Sequence, residues 1–134
     1  MKIIEAALVN RSGGIFIYKR RITMWNEPSK ERLAKIPRLY ETEHVPLKDK
    51  MINLHFFVGS CDWYIAEFDG EDLFFGLVVG FEIELGYWSL SELEAARGPW
   101  GLPIERDLWF EPTPLSQLPE YPRWIGAEVR ETVP

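Results

Sequence analysis

Cysteine is almost absent from this chain: Cys61 stands alone among 134 residues, so no internal disulfide can form. The expected setting is therefore reducing and cytoplasmic. Histidine is nearly as scarce, with only His44 and His55, eleven residues apart. With no Cys-x-x-Cys partner and no basic residue beside Cys61, neither a zinc site nor an activated thiolate has support. No apolar run approaches the roughly 20 residues of a membrane span. The opening MKIIEAALVN lacks a cleavage-site pattern, so no signal peptide is expected. Nucleophile-elbow, phosphate-loop and dinucleotide fingerprints are missing too. Gly76, Gly80 and Gly86 have the wrong spacing for such a loop and read as strand or bend glycines.

Lysine disappears after Lys50, and this divides the charge. Residues 1–50 carry eleven Lys or Arg against six Asp or Glu, a balance of +5. Residues 51–134 carry four Arg against fifteen acids, a balance of −11. Either one half meets a partner of opposite charge, or the two halves pair within a single fold.

What the chain has in quantity is hydrophobic and aromatic side chains, 46% and 14%, enough for one packed domain over residues 1–134. Lys2–Val9 and Ile15–Trp25 predict a hairpin around Asn10–Gly14. Pro28–Ile36 predicts a short helix with proline in its first turn, docked by Leu33 and Ile36 and stopped by Pro37. Met51–Val58, Trp63–Phe68, Leu73–Val79 and Phe81–Tyr87 predict strands, with Asp69-Gly70-Glu71-Asp72 as a hairpin turn and Gly80 as a bend. Ser89 and Glu92 form a capping box for a second helix with Leu90, Leu93 and Ala96 as its apolar stripe. Gly98-Pro99 is expected to end that helix, with glycine in a left-handed cap. Asp107–Phe110 suggests a closing strand, and the proline-rich tail beyond Glu111 an extended wrap. The fold class is α+β: an antiparallel meander of four to six strands, two short helices and a C-terminal wrap.

Candidate chemistry gathers in Trp63–Phe110, which holds four of the six tryptophans. Glu82 and Glu84, two apart in a strand, would share a face. Such a pair either holds a hard cation, works as acid and base, or is a solvated face. Asp69–Asp72 has the composition of a calcium loop without its length, so a plain turn is the better reading. In Glu105-Arg106-Asp107, alternation sets both acids opposite the arginine. A structural ion pair, with Arg97 as a distant partner, competes with an anion-binding arginine. His55, inside an aromatic strand, reads as a packed or edge histidine rather than a base. The aromatics exceed what one core can hold, so some form a second packed layer or an exposed patch.

The block Glu67-Phe68-Asp69-Gly70-Glu71-Asp72, Phe74-Phe75-Gly76-Leu77-Val78, Glu84-Leu85-Gly86-Tyr87 and Gly98-Pro99 through Gly101-Leu102-Pro103-Ile104-Glu105-Arg106-Asp107-Leu108 resembles a family of small bacterial proteins of unknown function. The resemblance spans residues 33–118 and leaves the hairpin at residues 1–26 outside. It implies a genomic setting on plasmids and integrated elements, near antirestriction and primase-like genes. It implies no catalytic residue.

The functional expectation is a non-enzymatic binding or regulatory protein with a protein partner. Its contact surface would come from Glu82, Glu84, Trp88, Trp100, Glu105, Arg106 and Asp107. No cofactor and no metal is expected. Two alternatives stand beside it. One is a metal-dependent phosphoester enzyme on Asp69, Asp72, Glu82, Glu84 and Glu105, which requires those carboxylates to converge. The other is nucleic-acid binding through Arg11, Lys19, Arg20 and Arg21.

Overall fold

A computed structural model describes the backbone of residues 3–9, 15–21, 25–121 and 129–131, and the side chains of residues 25–121. The architecture is α+β. Strands β1 (Ile3–Val9) and β2 (Ile15–Arg21) form an antiparallel hairpin in register from Ile3–Arg21 to Val9–Ile15. This hairpin is a sheet of its own and does not extend the main one. Trp25, expected at its end, is instead buried and stacks on Phe56 with ring centroids 5.4 Å apart. Helix α1 is only Lys30–Ala34, and Ser29 rather than Pro28 starts it: the serine side chain accepts the Arg32 N–H at 3.1 Å.

The expected strand Met51–Val58 is two strands, β3 (Met51–Ile52) and β4 (Leu54–Val58). Asn53 divides them. Its buried amide donates to the carbonyls of Met51 and Ala66, so the backbone turns around the side chain. Ile52 consequently packs in a different core from Leu54, Phe56 and Val58. There follow β5 (Cys61–Phe68), β6 (Leu73–Val79), β7 (Ile83–Ser89), α2 (Leu90–Ala95), β8 (Glu105–Arg106), β9 (Thr113–Pro114) and β10 (Val129–Glu131). The main sheet runs β10-β7-β6-β5-β4-β8, antiparallel except for the parallel β10–β7 pair. Strand β3 pairs with β9 in a small separate sheet.

The turn and cap chemistry read from the sequence is present. Asp69 Oδ1 accepts the N–H groups of Glu71, Asp72 and Leu73, and Gly70 supplies a φ of +93°. Both halves of the Ser89–Glu92 capping box form. Asp72 then accepts from the Ser91 N–H and hydroxyl, tying α2 to the β5–β6 turn. The helix ends before Gly98, whose φ of −87° is not a left-handed cap. A Cβ on Gly98 would sit 2.4 Å from Val58, so close packing against β4 explains the glycine. The left-handed residues are its neighbours Trp100 and Gly101, at φ +63° and +71°.

Both faces of the main sheet are covered. Trp25, Leu54, Phe56, Ile65, Phe68, Phe74, Trp88, Leu90, Leu93 and Ile104 make the first core. Tyr64, Ala66, Phe75, Leu77, Leu115 and Leu118, with Ile52, make the second. Pairing between β5 and β6 shifts register between Ile65 and Glu67. The extra residue, Ala66, puts Glu67 opposite Phe75 on the second face. There its buried carboxylate accepts the N–H groups of Tyr40 at 2.8 Å and Thr42 at 3.0 Å, together with the Thr42 hydroxyl. The loop that carries Tyr40 and Thr42 is thereby fastened over the sheet.

Candidate functional site

Two packed layers absorb most of the aromatic surplus, which leaves a short remainder in solvent. Phe81 is fully exposed, Trp100 is 96% exposed and Trp109 is 92% exposed. Phe81 sits in the β6–β7 turn, where the Gly80 N–H donates to the Glu82 carbonyl at 3.0 Å. Trp100 stands on the loop that packs Pro99 against Gly59 in the β4–β5 turn. Trp109 follows β8, held by its N–H to Asp107 Oδ1 at 3.1 Å. Each is presented by a hydrogen-bonded turn, so its exposure is built into the backbone.

Phe81 and Trp109 border two neighbouring cavities that share His55 and Glu120 as walls. The strand register creates the centre of this groove. On β4, His55 lies opposite Tyr64 of β5, and its ring stacks on the tyrosine at 4.5 Å, nearly parallel. Nε2 is 2.7 Å from Asp62 Oδ1, and Nδ1 is 3.4 Å from Asp107 Oδ2. The Asp107 N–H donates to the His55 carbonyl at 2.9 Å, which keeps the residue after β8 beside the ring. Half-buried carboxylates thus flank a largely covered imidazole on both edges.

Of the residues singled out from sequence, Trp100 is exposed and Asp107 is in the groove. Trp88 is 8% exposed and belongs to the first core, so it offers no contact surface; its indole N–H has no partner among the described residues. Glu82 and Glu84 do not share a strand face, because β7 begins at Ile83 and Glu82 belongs to the preceding turn. Arg106 is no open anion site. Its Nε and Nη2 donate to the carbonyl and side-chain oxygens of Asn26 at 3.1 and 3.2 Å, fastening β8 to the segment before α1. Burial and then the neighbouring Arg32 lower its pKa, with Asp107 opposing. Arg97 donates to the carbonyls of Glu94 and Ala96 and so caps the end of α2. Glu105 pairs opposite Phe57 at the sheet edge.

Asp69 and Asp72 are engaged by the turn and by α2. Among the described residues no three His, Cys, Asp or Glu side chains gather where they could hold a metal ion, so the convergence that the phosphoester reading requires is missing. Lys19, Arg20 and Arg21 end β2, while Arg11 lies outside the described residues.

The fold and groove define a small α+β protein with a covered sheet and a few displayed aromatics. The model for the family of proteins of unknown function designated DUF2958 matches residues 26–127, and the chain belongs to that family. No curated protein and no solved structure matches it. No helix among the described residues is long and apolar enough to cross a membrane.

Proposed function

We propose that this chain is a non-enzymatic binding or regulatory protein of the cytoplasm, and that it serves a mobile genetic element by engaging a host or element-encoded protein. The observation that carries the reading is the near-complete exposure of Phe81, Trp100 and Trp109, whereas most other large aromatics among the described residues pack in two cores. Three such side chains on ordered turns contribute little to folding, and exposed aromatics are the side chains that dominate protein contacts. The surrounding acids favour a basic partner. The genomic part of the proposal rests on the sequence resemblance alone.

The test is retention of a partner from the native host by the full chain and by the triple variant Phe81→Ser/Trp100→Ser/Trp109→Ser. The variant should melt like the parent and retain nothing specific. Equal retention by both proteins would refute the reading. A second reading, nucleic-acid binding, draws on the separate β1–β2 hairpin with its run Lys19-Arg20-Arg21. It requires an affinity for DNA or RNA that falls steeply with salt.

A further inference from the structure

The groove at His55 takes the binding reading further, to a site and a partner chemistry. Its two cavities, of about 570 and 450 Å³, adjoin each other and share His55 and Glu120 as walls. Phe57, Val79 and Phe81 supply apolar wall on one side, and Tyr64, Trp109 and Phe110 on the other. Among the described residues lining it there is no lysine or arginine, whereas Asp62, Asp107, Glu111 and Glu120 all border it. An apolar channel edged by carboxylates repels phosphates, and with them nucleic acid and anionic lipid. It suits a long-stemmed cation, whose methylenes lie along aromatic faces while the charged head meets the acids.

His55 narrows the choice of cation. Nε2 is held by the short 2.7 Å contact with Asp62 Oδ1. Nδ1 lies 3.4 Å from Asp107 Oδ2, too long for a good hydrogen bond, so that carboxylate oxygen keeps acceptor capacity on the groove side. A donor with several N–H groups in one plane engages that oxygen together with the neighbouring carboxylates of the groove. Guanidinium has that form, and the nearby rings of Phe110 and Trp109 offer surfaces on which its plane can stack. We propose that this groove docks a basic segment of a protein partner, with an arginine guanidinium seated on Asp107 Oδ2 beside the His55 ring. The charge balance of −11 over residues 51–134 agrees with such a partner. The inference rests on the binding reading and would fall with it.

The experiment titrates the full-length, isotopically labelled protein with acetylated tetra-arginine amide, and with tetralysine and tetraglutamate peptides alongside. Tetra-arginine should shift the His55 ring nitrogens and the Trp109 indole N–H together, more strongly than tetralysine, with an affinity that weakens as salt rises. Tetraglutamate should leave both signals in place. Asp107→Asn and Glu120→Gln should each weaken tetra-arginine by about tenfold without lowering the melting temperature. Among the described residues Glu120 has no hydrogen-bond or ion-pair partner, so its variant separates docking from folding. Shifts that avoid His55 and Trp109, or affinities unchanged in both variants, would overturn the assignment. So would preference for a DNA oligonucleotide, or salt-sensitive self-association of the chain alone, which would make a second copy the occupant. If the groove variants bind normally while the triple serine variant above still loses its partner, the binding reading survives and the groove does not.

Discussion

The two faces of the central sheet are built by different rules. The first is sealed with aromatic and aliphatic side chains: Trp25 on Phe56, Phe56 against Phe74, Phe74 against Phe68. The second carries its apolar residues among polar groups, namely buried Glu67, buried Lys50 and the His55 stack, and opens into a groove. A face that served only to hold the fold would gain nothing from such inclusions, because burying a polar group costs free energy that its hydrogen bonds must offset. The difference separates stability from presentation. The first face makes the molecule, and the second positions loops and side chains over it.

The largest test of this contrast is Phe56→Ala against Phe57→Ala, neighbours on opposite faces. Phe56 is fully buried, and its loss should cost about 3–5 kcal/mol, a large part of the stability of a small domain. Phe57, half-buried beside the groove, should cost about 1 kcal/mol. Urea unfolding of the two variants measures the difference. Comparable losses would mean that both faces are equally load-carrying cores.

Glu67→Ala comes next. It strips the Tyr40 and Thr42 N–H groups of their acceptor and should destabilise by about 2–3 kcal/mol, with faster amide exchange confined to the loop they belong to. Global loosening of the first core would contradict the division.

Asp69 should give the smallest effect. Burial tends to raise its pKa, but the N–H groups of Glu71, Asp72 and Leu73, with Arg38, outweigh that and hold it below 3.8. A carboxyl lowered in the folded state stabilises fully above its unfolded value, and the contribution fades as pH falls through the folded one. Asp69→Asn should therefore flatten the loss of stability below about pH 4 and leave its behaviour on the basic side unchanged. Because the carboxylate is exposed, the change is small.

The turn and cap chemistry was readable in the sequence, because those signals are local. Asp69-Gly70 and the Ser89–Glu92 box act over three or four residues, and their chemistry forms as the spacing predicts. What escaped depended on distance. His55 reads as a packed histidine until β4–β5 pairing brings Asp62, seven residues on, to its Nε2 and the β4–β8 pairing brings Asp107, 52 residues on, to its Nδ1. No sequence window contains that set. Glu82 and Glu84 misled because the alternation rule holds only inside a strand, and β7 starts between them. Trp88 misled because it stands among acids in sequence, whereas the pleat turns it to the first core. Asn53 marks a further limit: a single buried amide broke an otherwise regular strand pattern.

The central claim is that presentation resides in the displayed aromatics and the groove they border. Hydroxyl-radical footprinting of the full chain, alone and bound to the partner it retains from its host, tests this directly. Phe81, Trp109 and Trp100 should be protected in the complex, while Tyr40 and Met51, exposed elsewhere on the molecule, react as before. Protection of Tyr40 and Met51 with Phe81 and Trp109 left open would place the contact on another surface and contradict the account.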